Sequence, residues 1–129
     1  MSVAEAQAQV EEFHLAMDLP IGDSRCPCLS DQTLCISLIQ EEFDELHRAL
    51  ASRDIVEAAD ALADLLYVVL AAGVRWGIAL GPVFDEVHAA NMRKKDGPVR
   101  ADGKKLKPPG WKPPDVAKVL RNQTGEFRR

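Results

Sequence analysis

The sequence lacks an apolar run long enough to span a bilayer, and its N-terminus lacks a basic segment followed by an apolar one. We therefore expect a cytoplasmic protein without a membrane partner. Cysteine is also scarce, with only Cys26, Cys28 and Cys35. Their odd number does not suit a disulfide framework, and their spacing and the lack of a convincing fourth ligand disfavour a zinc site. Reduced thiols without an assigned role are the better interpretation.

Basic residues are rare in the first part of the chain. Residues 1–92 hold 16 acidic and 4 basic side chains, a balance of −12, whereas residues 93–129 hold 4 acidic and 12 basic ones, a balance of +8. An acidic half would repel a polyanion, so we expect no stable nucleic-acid partner. The combination suits a small phosphorylated ligand that a divalent cation bridges to carboxylates.

Helical periodicity dominates the 129 residues, and no convincing strand is present. The composition, 47% hydrophobic and 28% charged, is that of one globular domain. We predict an all-α fold with four main helices and a short fifth one, over residues 3–17, 32–52, 54–77, 81–95 and 115–121. The predicted domain covers residues 1–121, and it includes a basic loop rich in Gly and Pro at 96–114. Residues 122–129 are predicted to form a flexible tail.

The second predicted helix carries carboxylates on its apolar side. Glu42 and Glu45 share a helical face with Leu38 and Ala49, and Glu41 lies at the border of that face. A carboxylate is seldom buried without a partner. We therefore consider Glu42 and Glu45 candidate metal ligands, with a solvated groove or ordinary surface pairs as the alternative.

The third predicted helix contains Asp60 and Asp64 in the otherwise apolar stretch "EAADALADLLYVVLAAG". These aspartates are four residues apart and share a face. Four carboxylates on two neighbouring helices would repel one another unless a cation lay between them. Ligands that are all oxygen favour Mg²⁺, or Mn²⁺, over a soft metal. A di-iron site is disfavoured because it needs Glu-x-x-His on two helices, and "DELH" (44–47) and "DEVH" (85–88) match this only as Asp-x-x-His.

The stretches "EEFDEL" and "DALADLLYVV" resemble the MazG-like all-α nucleoside triphosphate pyrophosphohydrolases, a superfamily that includes phosphoribosyl-ATP pyrophosphohydrolases and dimeric dUTPases. Its signature is Glu-x-x-Glu on one helix and Glu-x-x-Asp on the next, which together bind Mg²⁺. Glu42 and Glu45 match the first half, and Asp64 matches the final Asp. Ala61 occupies the position of the remaining Glu, and Asp60 lies one residue before it.

The resemblance extends through "VFDEVHAANMRK" and "DGKKLKPPGWKPPDVAKVL", so that it covers about residues 10 to 121. It implies hydrolysis of a nucleoside triphosphate between the α and β phosphates. Glu41 or Glu42 would take a proton from the attacking water. Asn91 and Lys94 would bind the substrate. Two further candidate contacts are Tyr67, against the nucleobase, and Lys104, in a basic segment 100–107 that would close over the triphosphate. The alternatives are core packing for Tyr67 and a merely solvated basic segment for 100–107.

The same resemblance implies a four- to five-helix bundle completed by dimerisation, as a homodimer or a dimer of dimers. The third predicted helix is apolar nearly all round, which agrees with its being packed against other helices on several sides. The alternative function is a non-catalytic helical module that binds a nucleotide or a partner protein.

Overall fold

The computed structural model describes residues 1–123 and contains five helices. They are α1 (Val3–Ala16), α2 (Gln32–Ala51), α3 (Ile55–Trp76), α4 (Leu80–Met92) and α5 (Val116–Arg121). Within the described residues there is no β-strand, apart from one isolated bridge between Val99 and Lys105. The predicted all-α fold is confirmed. None of the helices in this part of the chain has the length and apolarity required to cross a bilayer.

The helix ends follow capping chemistry that is visible in the sequence. The Asp54 carboxylate accepts hydrogen bonds from the Val56 and Glu57 backbone N–H groups, so α3 begins where we predicted. It ends at Gly77, whose φ of 71° is left-handed. Helix α4 ends at Met92 and not near Lys95, because the chain turns there and continues to Gly97 and Pro98.

Helices α2 and α3 form a hairpin, and α1 packs against α3. The core joins Val10 of α1 to three residues of the C-terminal part of α3, namely Leu70, Ala71 and Val74. Helix α4 packs against α1, and α5 packs against α4. The N-terminal part of α3 is therefore covered mainly by α2, and this is the part that carries the aspartates.

The loop between α1 and α2 is fastened to the C-terminal end of α3. The Gly22 N–H donates to the Val74 carbonyl at 2.8 Å, and the Trp76 Nε1–H donates to the Ser30 carbonyl at 2.6 Å. The buried Arg75 guanidinium forms an ion pair with Asp31 at 3.0 Å. These contacts fix the start of α2 relative to α3, so the carboxylates on the two helices face each other in a defined register.

Of the predicted tail, 122–129, the structure describes only Asn122 and Gln123. The Gln123 side chain is buried; it donates to the Ser24 carbonyl at 2.7 Å and accepts from the Ala79 N–H at 2.7 Å. The other residues of that prediction, 124–129, lie outside the described residues. Cys26 and Cys28 are exposed and Cys35 is buried, and all three are free thiols.

Candidate metal and nucleotide site

Three carboxylates meet between α2 and α3. Glu42, Glu45 and Asp64 each offer one carboxylate oxygen, and these oxygens lie within 4.8 Å of one another. The spacing of Glu42 and Glu45 places both on the side of α2 that faces α3, and Asp64 faces them from α3. The structure thus brings together three of the four predicted metal ligands.

Glu42 is the most electrostatically stressed member of this cluster. Its Oε2 atom is buried and has no hydrogen-bond partner among residues 1–123. Burial, followed by the negative charges of Glu45, Asp64 and Glu41, raises the pKa of the Glu42 carboxyl. A raised pKa at a carboxylate cluster means that positive charge, whether a proton or a metal ion, is favoured there.

The donor set fits a hard divalent cation. It consists only of carboxylate oxygens on two packed helices, which is the chemistry that Mg²⁺ and Mn²⁺ prefer. The orphaned Glu42 oxygen is the observation that supports this fit, because a buried carboxylate oxygen normally has a donor or a cation beside it. Glu42, Glu45 and Asp64 are the residues that would hold the ion.

Asp60 lies outside this three-carboxylate cluster. It is exposed, and together with Glu45 and Glu57 it lines an adjacent cleft of about 450 Å³ between α2 and α3. Ala61, which occupies the position of the signature glutamate, is buried in the wall of the same cleft. The cleft therefore contains the carboxylates of Glu45, Glu57 and Asp60, although position 61, where the resemblance places a glutamate, has none.

Glu57 is a residue that the sequence reasoning missed. It precedes Asp60 by three residues, in "EAAD", and so forms a Glu-x-x-Asp pair one turn before Asp64. That spacing was available in the sequence as a signal. Glu57 also lies in the first turn of α3, where a negative charge interacts favourably with the helix dipole.

The other predicted catalytic residue, Glu41, is exposed and adjacent to the cluster. Its negative charge is among the causes of the raised pKa of Glu42, so it lies within electrostatic range. It does not belong to the group of three oxygens. The carboxylate of Glu41 is therefore separate from the three that could hold a metal ion, whereas Glu42 is one of the three.

Tyr67 lies against α1. Its ring packs edge-on against the ring of Phe13, with centroids 5.8 Å apart and planes at 80°. Burial and the negative charge of Glu12 raise the pKa of the Tyr67 hydroxyl. Tyr67 as a whole is 39% exposed, so it is not enclosed by the core.

Asn91 lies in the last turn of α4, and Lys94 lies in the turn that follows this helix; α4 packs against α1 and α5. Within the described residues, neither is hydrogen-bonded or ion-paired to the three carboxylates. Lys104 is exposed in the basic loop, where its backbone N–H donates to Asp102 and its carbonyl accepts from the Arg100 N–H. Asn91, Lys94 and Lys104 therefore lie outside the α2–α3 hairpin, whereas Tyr67 lies on α3.

Trp111 was also missed by the sequence reasoning, and Lys107 was included only as the end of the basic segment 100–107. The Trp111 Nε1–H donates to the Ala90 carbonyl at 2.8 Å, and the ammonium groups of Lys94 and Lys107 lie 5.3 Å and 4.9 Å from the ring centre. The signal in the sequence is a lone Trp in a Pro- and Lys-rich loop, a residue that rarely lies in such a loop without packing against something.

Comparison with known proteins agrees with this geometry. A family model described as phosphoribosyl-ATP pyrophosphohydrolase matches residues 10–91. The match includes the carboxylates between α2 and α3, Glu41 and Asn91, and it stops before Lys94 and the basic loop. The chain has no significant match among curated proteins.

Proposed function

Because the chain belongs to the phosphoribosyl-ATP pyrophosphohydrolase family, we propose that it hydrolyses a (deoxy)nucleoside triphosphate, or a related nucleotide, between its α and β phosphates. The products are the nucleoside monophosphate and pyrophosphate, and the proposed role is the removal of unwanted nucleotides from the pool in the cytoplasm. The observation that carries the proposal is the cluster of Glu42, Glu45 and Asp64. Family membership supports a pyrophosphohydrolase acting on a nucleotide; the triphosphate substrate and the metal are our proposals.

We propose Mg²⁺, with Mn²⁺ as a substitute, as the metal cofactor. When bound, the ion neutralises phosphate charge and makes a bound water more acidic. Glu42, Glu45 and Asp64 hold it, and we retain Asp60 as a fourth carboxylate that acts from the adjacent cleft. Glu57 shares that cleft and is the second candidate for the fourth position.

The proton from the attacking water goes to Glu41 or Glu42. Glu41 has the carboxylate that is not part of the ligand cluster. A Glu41→Gln variant distinguishes the two assignments: if Glu41 is the base, catalysis is lost while Mg²⁺ binding is kept. If Glu42 is the base, Glu41→Gln retains most of its activity.

We propose that substrate binding involves three residues outside the hairpin, together with Tyr67 on α3. Lys94 contacts a phosphate as a point charge, and Asn91 forms a hydrogen bond to phosphate, sugar or base. Lys104 adds a positive charge from the basic loop, and the exposed part of Tyr67 packs against the nucleobase. We also propose a homodimer or a dimer of dimers, which is supported by the apolar side chains exposed on α2 and α3.

The test is a panel assay. The protein is incubated with Mg²⁺ and each dNTP, NTP and phosphoribosyl-ATP in turn, and released pyrophosphate is measured. Release from at least one nucleotide, its loss with a chelator, and its loss in Asp64→Ala are the expected results. No release from any nucleotide would overturn the proposal.

The second candidate is a non-catalytic module that binds a nucleotide or a partner protein. The observation in its favour is the buried Ala61 at the position of the signature glutamate. Equilibrium binding of a nucleotide without any turnover, in the presence of Mg²⁺ or Mn²⁺, would select this candidate over the enzyme.

A further inference from the structure

One aromatic ring gathers two positive charges. The Nζ atoms of Lys94 and Lys107 lie 5.3 Å and 4.9 Å from the centre of the Trp111 ring, so they are within about 10 Å of each other. The negative face of an indole ring attracts a cation. Trp111 therefore makes a favourable cation–π contact with each of two ammonium groups of the same charge.

The ring itself is fixed to α4. Its Nε1–H donates to the Ala90 carbonyl at 2.8 Å, and the Arg93 guanidinium donates to the Lys112 carbonyl at 3.0 Å and 3.2 Å. These bonds attach the end of the basic loop to the last turn of α4. The two lysines are consequently positioned by a defined scaffold.

Neither ammonium group has an anionic partner in this part of the chain. Among residues 1–123 no carboxylate lies within 4.0 Å of Lys94 or Lys107, whereas Arg100 in the same loop is paired with Asp102 at 2.7 Å. All seven lysines of the chain lie at or after residue 94. A pair of fixed, unneutralised cations is suited to a ligand with two or more adjacent negative charges.

We propose that Lys94, Lys107 and Trp111 form an oligophosphate-binding site, in which Trp111 is a positioning residue, and that this site holds the β and γ phosphates. The assignment to those two phosphates rests on the proposed function, because they are the part released as pyrophosphate. The site itself requires only an oligophosphate, and it binds one through point charges without reading the base.

The first test is binding of inorganic triphosphate to the full-length protein, by isothermal titration calorimetry in a chelator at 0.15 M ionic strength, near physiological salt. We expect Lys94→Gln and Lys107→Gln each to weaken binding by about five- to tenfold, and Lys107→Arg to retain it. The matched control is Lys118→Gln, which removes the same charge from an exposed position on α5 and changes affinity by less than about twofold. Equal losses in Lys107→Gln and Lys118→Gln would overturn the site.

The second test concerns the ring. Trp111→Phe keeps an aromatic face and is expected to bind triphosphate within about threefold of the parent, whereas Trp111→Leu weakens binding by about fivefold or more. Triphosphate should change the tryptophan emission of the parent but not of Trp111→Phe, which assigns the signal to this ring and not to Trp76. Circular dichroism checks folding, and if Trp111→Leu does not fold, the Lys107 comparison decides. Equal affinity in the Phe and Leu variants would refute the positioning role.

Kinetics separates this proposal from the proposed function. With Mg²⁺ and the best nucleotide of the panel, Lys107→Gln should raise KM about five- to tenfold while kcat changes less than about twofold. An unchanged KM in an active enzyme would overturn the oligophosphate site and leave the proposed function intact. Specific triphosphate binding without hydrolysis of any nucleotide would overturn the proposed function and leave the oligophosphate site intact.

Discussion

At the scale of single residues, the proposed function depends on a few carboxylates whose negative charges repel one another. The pairing of Glu42 with Glu45 could be predicted from the sequence, because residues three positions apart on a helix are neighbours on its surface. The separation of Asp60 from the cluster could not, since it depends on how α2 and α3 are rotated against each other. Glu57 illustrates the same limit: its "EAAD" spacing is visible, but its place in the cleft is decided by packing.

Asp64→Asn tests the cluster from the α3 side. It replaces a charged ligand oxygen by a neutral amide of the same size, so we expect Mg²⁺ binding to weaken and kcat/KM to fall about 10²-fold or more. The fold should persist, as judged by an unchanged far-ultraviolet circular dichroism spectrum. Asp44→Asn, on the solvent side of α2, is the matched control, and an Asp64→Asn variant as active as this control would contradict the ligand assignment.

Glu42→Gln should lower activity but stabilise the metal-free protein. Burial and its negative neighbours raise the pKa of Glu42, so the folded chain holds this proton more tightly than the unfolded chain does. In the absence of metal, this group therefore reduces stability as pH rises through its folded-state pKa. Removing the charge relieves the repulsion, and we expect Tm in a chelator at pH 7 to rise by several degrees. This corresponds to a gain of about 1 kcal/mol or less in the free energy of unfolding.

The same variant should lose its response to the metal. Parent protein gains Tm when Mg²⁺ is added, because the ion binds only the folded chain. Glu42→Gln is expected to gain little. A lower Tm in a chelator than the parent would show that Glu42 stabilises the fold, contrary to this argument.

At the scale of helices, the sequence was most informative where the chain changes direction. Asp54 before "IVEA" and Gly77 after "VRW" predicted both ends of α3, because each residue supplies what a helix terminus needs. The Trp111 contacts could not be predicted, since the packing of an irregular loop has no periodic signal. The end of α4 was placed too late, because the basic residues 93–95, which are good helix formers, follow Met92 while the backbone already turns.

Gly77→Ala tests the end of α3. A Cβ at this position would lie 2.4 Å from the Asp23 carbonyl oxygen, at a φ of 71°. The control is Gly110→Ala, whose φ is 73° but which has nothing within 4 Å of the added carbon. The left-handed conformation alone costs about 1–2 kcal/mol, so Gly110→Ala should lose about that much in free energy of unfolding.

Gly77→Ala should lose clearly more than Gly110→Ala, because backbone atoms must also move. Chemical denaturation of both variants measures the difference directly. Equal losses would mean that the loop between α1 and α2 yields easily, and that it does not fix the end of α3.

At the scale of the whole molecule, the described chain leaves much apolar surface uncovered on the helices that carry the carboxylates. Leu62 and Leu66 of α3 are more than half exposed, and Phe43 and Leu50 of α2 are also exposed. Scattered apolar residues are normal at a surface, but a series of them on two packed helices is typical of an interface.

We therefore expect light scattering to give a mass of at least twice the 14.2 kDa of one chain. The double variant Leu62→Glu/Leu66→Glu places charges on the exposed face of α3 and should shift the protein toward the monomer, because burying unpaired carboxylates at an interface is unfavourable. Leu15→Glu, at a 67% exposed position on α1, is the matched control and should keep the parent mass. A parent protein that is monomeric at all concentrations would refute the dimer, and a double variant with the parent mass would place the interface on another face.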